Sequence, residues 1–148
     1  MNNDVMFSHK SGVWETPQSL FDELDSEFHF TLDACALPEN AKCPSYYTPI
    51  EDGLNQPWKG NVYCNPPYGR TIGEWVRKAY QSRAQGATVV MLLPARTDTR
   101  WFHEYIYNKD AEIRFIRGRL KFSNSSMGAP FPSMIVIYRP KEAKDEVD

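Results

Sequence analysis

Residues 87–94, ATVVMLLP, form an unbroken apolar run between Gly86 and the end of Pro94. A strand with one wet face would alternate with polar residues, so this run predicts a strand buried on both faces. Such a strand commits the chain to a sheet covered by helices on each side. The flanking segments supply them. TPQSLFDELDSEF (16–28) opens with Thr16 as the expected cap and Pro17 at the first helical position, then places Leu20, Phe21, Leu24 and Phe28 on one face. TIGEWVRKAYQSRAQG (71–86) is an amphipathic helix ending at Gly86, and TDTRWFHEYIYNK (97–109) is a further helix. FHFTLDACA (28–36), NVYC (61–64), EIRFIRG (112–118) and SMIVIYRP (133–140) read as strands. Residues 37–60 and RLKFSNSSMGAPFPS (119–133) are rich in Pro, Asn, Ser and Gly, and read as loops, the first with room for one short helix or strand.

This order predicts an α/β, doubly wound sheet, in which ligands bind at the carboxyl ends of the strands. Those ends are Asp33-Ala34-Cys35-Ala36, Asn65-Pro66-Pro67-Tyr68 and Pro94-Ala95-Arg96. The 148 residues suit one domain with frayed ends at 1–13 and 140–148. No apolar run approaches a membrane span, and MNNDVMFSHK lacks a signal-peptide pattern. Three cysteines, an odd number with no C-x-x-C pair, favour reduced thiols in a cytoplasm over a disulfide frame. A zinc site from His29, Cys35 and Cys43 fits no finger or ribbon spacing and is set aside.

The net charge of -2 conceals a division. Residues 1–65 hold ten acids and three bases, a balance of -7, whereas residues 66–123 hold five acids and eleven bases, a balance of +6. One face for a cation and another for a polyanion would produce that asymmetry, although solvated helix faces would account for the charges taken alone.

The stretch NVYCNPPYGR (61–70) carries the chemistry. An exocyclic amine such as that of adenine is a poor nucleophile, because its lone pair is delocalised into the ring. Acceptors for both N–H bonds free that pair: the Asn65 side-chain carbonyl for one and the Pro66 backbone carbonyl for the other. Pro66 forces Asn65 out of the helical region, and Pro66 with Pro67 fixes two successive φ angles. Tyr68 offers a flat face for an unstacked base. A rigid strand-to-helix turn is the plainer alternative. A Pro-Pro-Tyr peptide ligand belongs in an exposed disordered segment, and this motif follows a buried strand.

Asn-Pro-Pro-Tyr after a strand resembles the catalytic motif of S-adenosylmethionine-dependent amino-group methyltransferases. The wider chain is more specific: WETPQSLFDELDSEFHFTLDACALPENAKC, YYTPIEDGL with Trp58, NPPYG, VVMLLPARTDTRWFH, GRLKF and APFPSMIVIY closely resemble the phage-type DNA N-6-adenine methyltransferase family, from about Trp14 to Tyr138. The resemblance implies a minimal Rossmann-like methyltransferase fold, a mostly parallel sheet with a closing antiparallel strand, S-adenosylmethionine as cofactor and DNA as partner. It makes Asp33, Ala34, Cys35 and Ala36 the first cofactor motif, though without its usual glycines, and assigns Thr16 and Pro17 to the methionine end of the cofactor. Asp52 matches the acid that reads the cofactor's adenine or ribose; without the resemblance, Asp33 reads equally as a strand-end cap and Asp52 as a turn former. Asn65, Pro66, Pro67 and Tyr68 become catalytic, with Asn65 also touching cofactor. Phe122, with Phe131 as runner-up, would cover the second face of the base. Arg96, Arg100, Arg117, Arg119 and Lys121 are candidate phosphate contacts. The amine attacks the sulfonium methyl directly, so Cys35, Cys43 and Cys64 stay out of the chemistry. Two rivals are a protein glutamine methyltransferase using the same motif and a non-catalytic DNA-binding relative. Target specificity would fall to loops 37–60 and 118–132.

Overall fold

The computed structural model describes residues 13–141, so the expected frayed ends lie almost wholly outside the described residues. The chain runs α1 (Gln18–Phe28), β1 (Leu32–Asp33), a short 3-10 turn (Gly53–Asn55), β2 (Asn61–Cys64), α2 (Ile72–Arg83), β3 (Thr88–Pro94), α3 (Arg100–Tyr105), β4 (Glu112–Phe115) and β5 (Ser133–Tyr138). The five strands form one sheet in the order β1-β2-β3-β5-β4. β1, β2 and β3 are parallel, and β5 is antiparallel to both β3 and β4. The closing strand is therefore inserted between β3 and β4 and is not at an edge.

The central run behaves as its composition requires. Val89, Met91 and Leu93 face a core layer with Val76 and Ala79 of α2 and with Trp58, Trp75, Trp101 and Phe102. Val90 and Leu92 face the opposite layer with Phe21, Leu24 and Phe28 of α1 and with Phe30 and Tyr63. Each such side chain stabilises the fold by roughly 1.5–3 kcal/mol, which makes β3 the structural axis of the chain. The carboxyl ends of β1, β2 and β3 consequently open on one rim of the sheet.

The helix expected over 71–86 ends early, at Arg83, and the strand expected over 112–118 at Phe115; three further differences bear on the site. The segment expected as strand 28–36 pairs only at Leu32–Asp33. His29 closes α1 in the left-handed conformation (φ 52°), and the Asp25 carboxylate accepts from the Phe30 N–H at 2.8 Å, so the chain joins the sheet only from Thr31, whose N–H donates to the Asn61 carbonyl at 2.8 Å. Beyond Asp33, loop residues take over the edge: Asp33 N–H donates to Ser45, and Tyr47 N–H donates to Asp33. The helix expected over 97–109 is confined to Arg100–Tyr105, because the N–H groups of Ile106 and Tyr107 both converge on the Phe102 carbonyl and close the last turn. Thr16 does not cap α1; Pro17 occupies the N-cap position, with no side-chain cap hydrogen bond.

Candidate functional site

Where the Thr16 hydroxyl goes instead defines the site. Thr16, 3% exposed, pairs with the Tyr63 hydroxyl at 2.6 Å and accepts from the Asn65 side-chain amide at 3.1 Å. The same Asn65 Nδ2 also donates to the main-chain carbonyl of Trp14. A carbonyl cannot donate, so the amide is fixed with Nδ2 toward Trp14 and Oδ1 turned away. Asn65 Oδ1 is buried and has no hydrogen-bond partner among the described residues. A buried acceptor left unmatched costs about 1–3 kcal/mol and is rare enough in native structures to need an explanation.

Asn65 stands on the wall of a cavity of about 480 Å³ at the carboxyl ends of β1 and β2. That volume is within the range of small-molecule sites. Thr16, Asp33, Cys35, Asp52, Asn65 and Pro67 line it, whereas Pro17 and Ala34, also expected to touch cofactor, do not. Among the described residues, Glu15, Asp33 and Asp52 contribute three carboxyl groups to the wall against the single cation of Lys42, a donor set that suits a positively charged ligand. Asp33 is 3% exposed, and its carboxylate accepts from the N–H groups of Cys35 (3.3 Å) and Lys42 (3.0 Å), tying loop 35–42 to the strand end. Asp52 sits at φ 60° and accepts from Leu54 N–H (3.2 Å) and Asn55 Nδ2 (2.7 Å). Next to it, Gly53 passes so close to β1 that a Cβ there would lie 2.2 Å from the Ala34 carbonyl oxygen. Only glycine allows that wall to close. Burial pushes the thiols of Cys35 and Cys43 up to about 12, so both remain protonated at neutral pH.

Burial likewise pushes the Asp33 carboxyl up to about 6, against the two N–H bonds that favour its ionised form. The folded protein therefore binds a proton that the unfolded chain has already released between about pH 4 and 6. Stability contributed by this group is full below the unfolded value and declines as pH rises through about 6, by about 3 kcal/mol in all. Urea unfolding of wild type and Asp33→Asn across pH 4–8 should show the wild type losing stability relative to the variant as pH rises. A constant gap between the two would contradict that burden on the ionised form.

The second half of the motif turns toward the other core layer. Tyr68 is half-buried, donates its hydroxyl to the Leu92 carbonyl at 2.9 Å, and meets Phe131 edge-on at 5.6 Å and Phe122 at 6.4 Å. Phe122, expected to present the second stacking face, is 1% exposed, and Phe131 is 9% exposed. Neither presents an open ring; Trp14 covers both, at 5.4 Å from Phe122 and 5.3 Å from Phe131. Trp14 is the residue that sequence reasoning missed. It touches the aromatic cluster through its ring and Asn65 through its backbone, and its position at the head of the resembling stretch was the one available signal.

Arg96, Arg117, Arg119 and Lys121 are exposed and lie outside the cavity wall. Arg100 is exposed but paired with Glu104 at 2.9 Å. The basic segment is less available than its count suggests. Arg83 is buried against the Tyr80 ring, and Arg114 is held by Glu27 and Glu112. Among the described residues no cluster of His, Cys, Asp and Glu is arranged to hold a metal, and no helix is long and apolar enough to cross a membrane.

A family model described as DNA N-6-adenine-methyltransferase (Dam) matches residues 6–147. The chain is similar to a DNA N-6-adenine-methyltransferase of Haemophilus phage HP1, 33% identical over 138 residues, covering 87% of this chain and 79% of the relative. It is also similar to a DNA N-6-adenine-methyltransferase of Escherichia phage T1, 35% identical over 111 residues, covering 73% of this chain and 46% of the relative. A third relative, a putative methyltransferase of Escherichia coli K12, is 36% identical over 63 residues, covering 37% of this chain and 69% of that protein. The mixed five-stranded sheet is consistent with a methyltransferase fold, and these matches establish that the chain belongs to the DNA N-6-adenine-methyltransferase (Dam) family.

Proposed function

We propose that this chain, as one methyltransferase domain, transfers a methyl group from S-adenosylmethionine to the N-6 amine of adenine in DNA. The observation that carries the proposal is Asn65 Oδ1: buried, without a partner among the described residues, and held in place by anchoring of the opposite end of the same amide. An acceptor whose orientation is fixed in this way suits an N–H donor brought by a substrate. S-adenosylmethionine supplies an electrophilic methyl group on a cationic sulfur, and the acid-rich wall formed by Glu15, Asp33 and Asp52 suits that charge. Asn65 accepts one N–H of the target amine, the Pro66 carbonyl accepts the other, and the nitrogen lone pair is thereby directed out of the ring system. The Tyr68 ring supports the base once it has left the duplex stack. The relatives' phage origin supports action on DNA in the cytoplasm of a bacterial host.

The test is transfer of labelled methyl from S-adenosylmethionine to unmethylated duplex DNA, followed by nucleoside analysis for N-6-methyladenine. DNA affinity should also fall with salt. If four or five of the exposed cations reach phosphates, log affinity declines against log salt with a slope of roughly -4. Replacing Arg119 and Lys121 together by alanine should reduce the magnitude of that slope by about 2. A response flat in salt, with methyl transfer to protein glutamine, would overturn the DNA reading.

A further inference from the structure

The segment Val13–Thr16 belongs to no helix or strand, yet it forms one wall of the cavity and holds Asn65 in its orientation. It is held in turn by the loop between β4 and β5. Asn124 Oδ1 accepts from the Glu15 N–H at 3.0 Å, and Asn124 Nδ2 donates to the Val13 carbonyl at 3.2 Å. The two contacts bracket Trp14. Ser123 reinforces them, its N–H donating to the Glu15 carbonyl at 2.8 Å and its hydroxyl to the Thr16 carbonyl at 3.2 Å.

The Trp14 carbonyl and the Glu15 N–H belong to one peptide group, which is planar and trans, so they point in opposite directions. Asn124 grips one side of that plane and Asn65 grips the other. Any rotation of the plane that breaks the Asn124 contact also turns the Trp14 carbonyl away from Asn65 Nδ2. The terminal torsion of an Asn side chain is soft and roughly two-fold. Freed from Trp14, the Asn65 amide can turn over and present a donor where the reaction needs an acceptor.

Resting on the methyltransferase reading above, we propose that Asn124 is a positioning residue: it orients the Trp14–Glu15 peptide group, and through it keeps Asn65 Oδ1 facing the target amine. Asn124 follows Arg117, Arg119, Lys121 and Phe122 in the same loop. The loop that carries those exposed cations thus also carries the contact that orients the Trp14–Glu15 peptide group.

The experiment is single-turnover methyl transfer to unmethylated genomic duplex DNA, with cofactor and DNA dissociation constants and thermal unfolding measured in parallel. Asn124→Ala should slow the chemical step by roughly tenfold or more, as expected for loss of preorganisation at a reacting group, with both dissociation constants within about threefold of wild type. In an Asn65→Ala background the same change should alter the rate by less than about twofold, because the group it positions is gone. Asn124→Asp, which keeps an acceptor for the Glu15 N–H, should fall between wild type and Asn124→Ala, and it supplies the comparison should the alanine variant fail to fold. A wild-type rate in Asn124→Ala, effects that multiply in the double variant, or a folded Asn124→Asp no better than Asn65→Ala would each overturn the positioning role. An inert wild type on DNA would instead overturn the methyltransferase reading, and the positioning role with it.

Discussion

Asn65→Ala is expected to lower the single-turnover rate of methyl transfer by about 10²–10³, the usual consequence of removing one preorganised electrostatic partner. Cofactor affinity should change little, since the cavity wall keeps its carboxyl groups and the closely packed turn at Gly53. Alanine also removes the donor that satisfies the Trp14 carbonyl, so a small loss of stability should accompany the loss of rate. Asn65→Asp makes a sharper comparison. It preserves size and an acceptor oxygen but has no N–H to offer Trp14 or Thr16, and it sets carboxylate against carbonyl. Its rate should fall at least as far as that of the alanine variant. A wild-type rate in a folded Asn65→Ala would reduce Asn-Pro-Pro-Tyr to a rigid turn.

Tyr68→Ala should produce the second large loss, in both stability and rate. The ring is packed against Phe122 and Phe131, and emptying a site of that size costs about 3–5 kcal/mol of stability. Loss of the stacking face should cost a further 1–3 kcal/mol in binding of the extruded base, equivalent to roughly a 5- to 150-fold weaker interaction. Tyr68→Phe separates the ring from the hydroxyl. It loses only the hydrogen bond to the Leu92 carbonyl, worth about 1 kcal/mol of stability, and should keep most of the rate. If Phe proves as poor as Ala in transfer while unfolding normally in urea, the hydroxyl and not the ring carries the function.

The two variants probe parts of the motif that differed in how far the sequence revealed them. That Tyr68 follows a buried strand and two prolines is evident from residues 61–70 alone. That its hydroxyl reaches β3, and that its neighbouring rings are covered by Trp14, is not, because those partners are distant in the chain. The basic half of the chain carries a similar lesson. Its balance of charge is a property of composition, but the withdrawal of Arg83 into the core and of Arg114 into contacts with two glutamates depends on which helix lies over which strand. Thr16 is the clearest case: a Thr-Pro pair ahead of an amphipathic stretch matches a helix start, yet its hydroxyl is drawn to Tyr63 and Asn65 because β2 ends directly beside it.

By itself the sequence determined the layered α/β architecture and the strand end that bears the motif. These are encoded locally: an apolar run records burial on two faces, and adjacent prolines restrict their own φ angles and the residue before them. Only the tertiary structure decided the insertion of β5 between β3 and β4, the closure of the cavity at Gly53, and which end of the Asn65 amide is held by Trp14. Each depends on a partner brought near by folding, and such a partner leaves no periodic trace in the segment it serves. An amide has the same composition in either orientation; a carbonyl from Trp14, 51 residues upstream, selects one of them.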